Sequence, residues 1–267
     1  MTEQHGKVRR RKVRGWAILA IALEAARETS AFSPTVGSRG RIGPARPSLL
    51  SSSTSSTESA RAEDDLRSAR ARDFQSLLLT RRTINDFSPT LPPNWDDALI
   101  RAIAAATSAP NHKRTEPWRF HLLGPESIRQ VCELNADIVS ERKGAAAGEK
   151  KLERWLRMPG WLVVSCTRDG GKGEGSNSMD DDPAGLAREN YAAVCCAVQN
   201  LCLSLHAEGM GTKWTTGPVN FDERFGAAAG LPEDEFVVGT IWFGEAAKVP
   251  SESGRKLSIE DVLTRHD

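Results

Sequence analysis

The stretch from Leu186 to Glu208 constrains this chain most. Val194, Val198, Leu201 and Leu205 recur at spacings of 4, 3 and 4, the period of an amphipathic helix, and Gly209 supplies a C-terminal stop. Such a stripe has to be buried, so this is the expected central core helix. Two apolar runs read as strands: Trp161 to Cys166, bounded by Pro-Gly and a polar loop, and Phe236 to Gly244, the strongest strand in the chain. Helical patterns are interleaved with them. One opens at Glu63-Asp64-Asp65 and runs to Arg82, with acids in its first turn and arginines in its last. Asn94 is the expected N-cap of a helix carrying Trp95, Leu99, Ile100 and Ile103. Pro125 opens another through Ile128, Val131, Leu134 and Ile138, and Lys150 to Arg157 is a charged helix. Trp118 to Leu123 and Met210 to Thr216 read as strand or extended chain, and Asn220 as the cap of a short helix, Phe221 to Ala228. There is no internal repeat, and helices dominate, so the class is α+β or α/β in one domain, residues 63–267.

Charge is unevenly placed. Residues 1–62 hold 11 Lys and Arg against 4 Asp and Glu, while residues 63–267 hold 25 against 31. A mildly acidic body argues against nucleic acid as its partner. The five cysteines (Cys132, Cys166, Cys195, Cys196, Cys202) show no CxxC or Cys/His spacing, and they read as reduced, buried thiols without a metal site. The Arg168 to Gly185 loop lacks the order GxxxxGK[ST], so it reads as a flexible surface insertion and Asp180-Asp181-Asp182 as a solvated acidic run rather than a divalent-ion site. No GxGxxG follows a strand, which excludes a dinucleotide-binding Rossmann site.

The leader is expected to be an address, disordered and separate from the fold. A positive segment (Lys7 to Arg14) precedes an apolar run, Trp16 to Ala26, that is too short to span a bilayer and carries Glu24, so no stable membrane anchor is expected. From Thr35 to Ala62 the chain is rich in Ser, Thr, Arg, Gly and Pro, a composition unable to bury a core. A signal-like segment (residues 7–31) followed by Ser30-Ala31-Phe32-Ser33-Pro34 and a transit-like stretch (32–62) resembles the bipartite plastid presequence of algae with complex plastids, Phe32 being its mark. That resemblance implies a plastid (chloroplast) location. Secretion and a basic tail on a cytosolic protein stay open, the thiols favouring a reducing compartment over secretion.

Ala109-Pro110-Asn111-His112-Lys113-Arg114-Thr115-Glu116-Pro117-Trp118 joins a helix to a strand with proline near each end. Each proline fixes its own φ and biases the residue before it away from α geometry, so a stiff extended connector should present its donors to a planar or phosphorylated anion. Three other pieces stand in order with it: Arg81-Arg82-Thr83, Gly211-Thr212-Lys213-Trp214-Thr215-Thr216-Gly217, and Val238 to Gly244. Together these resemble the FMN-dependent nitroreductase family. Its members have a helix ending in Arg-Arg-(Ser/Thr), an Ala-Pro…Gln-Pro-Trp-x-Phe segment and a strand closing on Gly. Ala109-Pro110-Asn111-His112-Lys113 looks like the compact bacterial branch with Ala-Pro-Asp-His-Lys.

The resemblance implies an α+β nitroreductase-like fold, a central mixed β-sheet flanked by helices, in a homodimer holding FMN at the subunit interface. It implies cofactor contacts from Arg81 on the phosphate, Arg82 and Thr83 on phosphate, ribityl chain or pyrimidine edge, and Ser108 and His112 from the partner subunit. Trp214, Thr215 and Thr216 match the segment beside the isoalloxazine, and Lys248 is a further candidate for the phosphate. Glu116 stands where the family has Gln, and Arg114 where larger members have Asn; the two either face the flavin or pair with each other. Each has a structural alternative: Arg81 and Arg82 as helix C-terminal charges, His112 as a hydrogen-bonded loop residue, the tryptophans as packing. The implied activity is ping-pong electron transfer from NADH or NADPH through FMN to an electron-poor small-molecule acceptor, nitroaromatic or quinone, with no catalytic protein nucleophile and no metal. Dehalogenation, flavin breakdown, or flavin binding without turnover remain alternatives.

Overall fold

The computed structural model describes residues 53–168, 183–252 and 254–266. Backbone contacts divide the chain into residues 1–57 and 58–267. The first unit is described only for the opening residues of α1, and the sheet and its helical layers belong to the second.

Helix α1 runs Ser53–Thr80. It starts ten residues before the acidic cluster at Glu63 to Asp65, so residues 53–62, expected to be disordered, are helical. No Gly or Pro lies between Pro47 and Pro89 to break the run, and Ala60, Ala62 and Arg61 are good helix formers. The targeting segments of residues 7–31 and 32–52, the Asp180 to Asp182 run and all but the ends of the expected insertion lie outside the described residues.

The core sheet has four strands in the order β2–β3–β5–β4. They are β2 (Trp118–Leu122), β3 (Gly160–Thr167), β4 (Gly211–Thr215) and β5 (Glu235–Gly244), all paired antiparallel. Its mixed character comes from a single parallel bridge, Thr83 to Thr212. Strands β3 and β5 are buried over most of their length on both faces. The expected continuous apolar runs are therefore central strands needing a helical layer on each side.

One layer is α2 (Trp95–Ala106) with the long helix α5 (Pro183–Ala207), and the other is the hairpin of α3 (Pro125–Lys143) and α4 (Ala145–Leu156) with the short α6 (Phe225–Ala229). Side chains of β3 alternate between them. Leu162, Val164 and Cys166 meet Val194, Val198, Leu201 and Leu205 of α5, while Trp161 and Val163 meet Val131 and Trp155. Helix α5 is thus the core helix its period demanded, and Gly209, at φ 79°, ends it where an L side chain would be strained.

Several local expectations fail for identifiable reasons. Asn94 does occupy the N-cap position of α2, but at φ 59° and without a side-chain cap; its left-handed turn follows Pro92-Pro93, and the Pro92 carbonyl accepts from Trp95 N–H. Asn220 is buried in a 3₁₀ turn (Pro218–Phe221) and donates through Nδ2 to Thr240 Oγ1 at 2.8 Å, so it ties a loop to β5 rather than capping a helix. The turn-rich link at Asp86-Phe87 is β1, pairing with β6 (Ala246–Lys248). A last helix, α7 (Ile259–Val262), opens with a Ser258/Asp261 capping box. Cys196 is exposed and Cys195 half-buried, against the expectation that all five thiols are buried.

On the hairpin side three indoles, Trp155, Trp161 and Trp242, meet edge to face with centroids 5.1–5.6 Å apart. Trp161 is 1% exposed. Replacing it with Ala should cost about 3–5 kcal/mol through lost burial and a residual cavity, read as a fall in the urea midpoint of unfolding; a loss below about 1 kcal/mol would mean the three rings do not hold this layer together.

A cationic cleft between the helical hairpin and strand β4

β4 is an edge strand, and its pleat sends successive side chains to opposite faces. Trp214 lies on the α5 face, where a Cβ added at Gly239 would collide with its Nε1; this tryptophan needs a glycine beneath it. Lys213 and Thr215 point to the other face and line a cavity of about 300 Å³ beneath the α3–α4 hairpin. Lys213 Nζ donates to Asn85 Oδ1 at 2.8 Å and sits 5.2 Å from the centre of the Trp242 ring. The chain leaving α1 is stitched to the same strand, through the Thr83–Thr212 bridge and the Ile84 N–H to Thr212 carbonyl bond of 3.0 Å. That stitching holds Asn85 in reach of Lys213.

Five cations line this cavity and no acid does: Arg142 and Lys143 from the end of α3, Lys151 and Arg154 from α4, and Lys213. The crowding is felt. Burial, followed by Arg154 and Lys151, holds the Lys213 ammonium below its ordinary pKa, and burial, Arg154 and Lys143 do the same to Lys151. Two buried donors of the lining, Asn135 Nδ2 and Trp242 Nε1, have no acceptor among the described residues. Unpaired buried donors and crowded cations with no acid among them describe a seat for an anionic or carbonyl-bearing group.

A second cavity of about 390 Å³ is linked to the first by the Asn85–Lys213 hydrogen bond, and Asn85 lines it together with Arg81, Arg82, Thr83, Ser251, Glu252 and Arg255. The Arg81 guanidinium has no acceptor among the described residues; burial, followed by Arg81 and Arg82, pushes the pKa of His206 down. Arg82 is engaged: it donates to the Leu79 and Arg81 carbonyls, closing the C-terminus of α1, and meets Glu252 at 3.3 Å. The two arginines therefore divide the roles the sequence left open, Arg82 acting on the helix end and Arg81 facing an open cavity.

The structure brings Arg81, Arg82, Thr83 and Thr215 into these two cavities. It does not bring Ser108, His112, Glu116, Trp214, Thr216 or Lys248 there within one chain; Lys248 is exposed and lies opposite Asp86. The connector of Ser108 to Glu116 packs beside the N-terminal half of α5, where Thr115 Oγ1 donates to Asn190 Oδ1 at 2.8 Å and His112 Nδ1 lies 3.7 Å from Glu189. Its backbone is not the uniformly extended path expected. Lys113, Arg114 and Glu116 take φ of 50°, 53° and 43°, and Asn111 Oδ1 accepts from Glu116 N–H to hold the turn. Arg114 and Glu116 form no ion pair with each other among the described residues. Lys213, Lys151, Arg154 and Asn85 went unrecognised in the sequence; the alternation of Lys213 with Trp214 in a strand was the one available signal.

A Ser165–His121–Glu235 cluster does not provide a nucleophile. Ser165 Oγ and Glu235 both bond the same His121 nitrogen, Nε2, and Ser165 is fully buried, whereas nucleophile activation needs the two ring nitrogens to serve two partners. Burial pushes the Cys132 thiol up to about 12 and Cys166 to about 11, leaving them protonated and unreactive. Among the described residues no cluster of His, Cys, Asp and Glu is arranged to hold a metal, and no helix is long and apolar enough to cross a membrane.

An antiparallel sheet sandwiched between a core helix and a helical hairpin, with a cationic cleft on its edge strand, defines an α+β fold. The nitroreductase family profile matches residues 78–245, and the chain belongs to that family. It is 27% identical over 195 residues to YfhC of Bacillus subtilis, provisionally assigned as an NAD(P)H nitroreductase, covering 72% of this chain and 93% of that protein. A nitroreductase-like protein of Bacillus cereus superposes with a TM-score of 0.57 at 26% identity, covering 72% and 95% of the two chains. A structure from Exiguobacterium sibiricum, a provisionally assigned nitroreductase in complex with FMN, gives 0.58 at 15% identity over 72% and 97%.

The depressed Lys213 makes a pH prediction. The folded chain holds fewer protons at this site than the unfolded chain between the lowered value and about 10.4, so its contribution to stability rises with pH in that window. Urea unfolding of wild type and Lys213→Met at about pH 8 and about pH 10 should therefore show the difference moving in favour of wild type at the higher pH. A difference that stays flat, or moves the other way, would mean Lys213 is not crowded as the geometry shows.

Proposed function

We propose that the chain is an FMN-dependent oxidoreductase that carries electrons from NADH or NADPH to an electron-poor small molecule of nitroaromatic or quinone type. The observation that carries this reading is the pair of cavities linked by the Asn85–Lys213 hydrogen bond, one with an acceptor-free Arg81 and the other with unpaired donors against an indole wall. FMN has the matching chemistry, a dianionic phosphate at one end and a planar ring whose pyrimidine edge gains negative charge on reduction. When bound it supplies hydride chemistry, and the protein supplies position and electrostatics.

Arg81 would hold the phosphate bidentately, as a planar guanidinium does, with Thr83 and Arg255 adding donors. Lys213, fixed by Asn85, would place a positive charge at the pyrimidine edge and favour the reduced state; Lys151 and Arg154 reinforce it from α4. Trp155 and Trp242 would exclude water behind the ring. The family name and the provisional NAD(P)H role of YfhC support this reading, as does the FMN in the Exiguobacterium structure.

Ser108, His112 and Glu116 fit it only if a second copy brings its connector to the cleft, so the working unit is a homodimer. Exposed apolar residues on α1, Phe74 at 57% and Leu79 at 71%, supply a face for that contact. The leader ahead of α1 would act as the plastid address, its support being the basic, acid-poor composition and the Phe32 context.

The first test is the absorption spectrum of the purified chain supplied with FMN, before and after anaerobic NADPH. Flavin bands that bleach are expected. Arg81→Ala should weaken FMN binding by about tenfold or more, the loss of one charge-assisted bidentate contact, and Lys213→Met should lower the bound flavin's two-electron potential by about 30 mV or more. A colourless protein that takes up no FMN would sink the assignment. For the leader, residues 1–62 fused to a fluorescent protein in an alga with a complex plastid should deliver it to the stroma, and Phe32→Ala should stop it outside; uniform cytosolic fluorescence would remove the plastid proposal.

A further inference from the structure

The cleft holds more positive charge than one flavin can use. Under the FMN reading, on which this inference rests, Arg81 and its neighbours serve the phosphate in the other cavity, and the pyrimidine edge occupies Lys213 with support from α4. Arg142 and Lys143 remain, at the C-terminal end of α3 on the rim of the same cavity. Both are exposed, and neither has an ion pair among the described residues. Their placement runs against the chain's own composition, since the body as a whole carries more acids than bases while this lining has five bases and no acid. Beneath them, Asn135 is 3% exposed, with an Nδ2 that finds no acceptor. Helix ends favour cations at their C-terminus, which explains one basic residue here. It does not explain a cavity whose every charge is positive.

We propose that the Arg142–Lys143 rim recognises a negatively charged group on a co-substrate, a phosphate or sulfonate-like anion apart from the cofactor's own phosphate. Two sources present that chemistry: the 2′-phosphate that distinguishes NADPH from NADH, and an acidic substituent on the electron acceptor. Either way the rim is a specificity device that selects an anionic partner and leaves electron transfer itself untouched. Exposed cations of this kind act through charge more than through fixed geometry, so the effect should be modest per residue and sensitive to salt.

The experiment uses the full chain loaded with FMN and an Arg142→Ala/Lys143→Ala double variant, both positions being exposed. One arm measures binding of adenosine 2′,5′-bisphosphate against 5′-AMP by tryptophan fluorescence, which Trp155 and Trp242 in the cavity wall report. The other compares KM for menadione with that for 1,2-naphthoquinone-4-sulfonate, NADH being the donor. In at least one arm the more anionic ligand should be favoured by about tenfold, the sum of two exposed charge contacts. That preference should collapse in the double variant and at about 0.5 M salt, while flavin content stays the same. Preference in the nucleotide arm assigns the rim to the electron donor, and in the quinone arm to the acceptor. No preference in either arm, or a preference that survives the double substitution, overturns the inference while leaving the flavin assignment standing; a chain that takes up no flavin overturns both.

Discussion

Everything in the second unit depends on β3 and β5 lying side by side with both faces buried. A strand pair of that kind exposes no polar face, so the chain must lay helices on either side, and it does so with elements distant in sequence, α2 and α5 on one face and the α3–α4 hairpin with α6 on the other. The pleat then decides what the edge strand can do. With β5 fixed, Thr212 and Trp214 must follow one face and Lys213 and Thr215 the other. A slip of one residue would put the lysine under α5 and the indole in the cleft. The Thr83–Thr212 bridge and the fit of Trp214 over Gly239 pin that register, and so the position of the cation depends on a glycine and an indole on the opposite side of the sheet.

The cleft works against stability in a way the rest of the domain does not. Elsewhere several cations have acidic partners: Arg101 forks onto Glu208 at 2.7 and 2.9 Å, and Arg129 spans Glu126 and Glu133. In the cleft they face one another, and burial together with that crowding holds two lysines below their ordinary pKa. Local rules broken in this way mark a candidate binding site, because an anion there would relieve the repulsion and satisfy Asn135 and Trp242 together. The three-indole cluster is the counterweight. It gives the hairpin an apolar floor rigid enough to hold charges that would otherwise push α4 away from β4.

Much of the fold was legible because its signals are periodic and local. The α5 stripe and the β3 and β5 runs need only neighbours in sequence to be seen, and Pro125 marks the start of α3 by its own fixed φ. The misses have two causes, a tertiary partner that outcompeted a local preference and a neighbouring proline pair that overrode one. Asn220 is a good cap by composition, but Thr240 lay within reach and the side chain turned inward. Asn94 followed a Pro-Pro pair that dictated its backbone. The two-residue β1 has no propensity signal, since it exists only because β6 returns to it. The site divides in the same way. Arg81, Thr83 and Thr215 carry a motif and were visible; Asn85, Lys151, Arg154 and Lys213 converge from three elements, and no spacing rule links them.

The connector of Ala109 to Trp118 shows how far one chain can go toward completing its site. Its donors do not reach the cleft, yet it is held with some care: Asn111 clamps Glu116, the buried Thr115–Asn190 bond ties it to α5, and three residues that are not glycine sit at positive φ. Left-handed backbone at Lys113, Arg114 and Glu116 costs free energy, and an ordinary helix-to-strand loop has no reason to accept it three times within four residues. His112 and Glu116 are exposed on this segment, His112 beside Glu189 of α5. A segment fixed in place and aimed away from its own cavities makes physical sense if the surface it serves belongs to a second copy. On that view the first chain contributes the cations that attract the cofactor, and its partner contributes the groups that close over it.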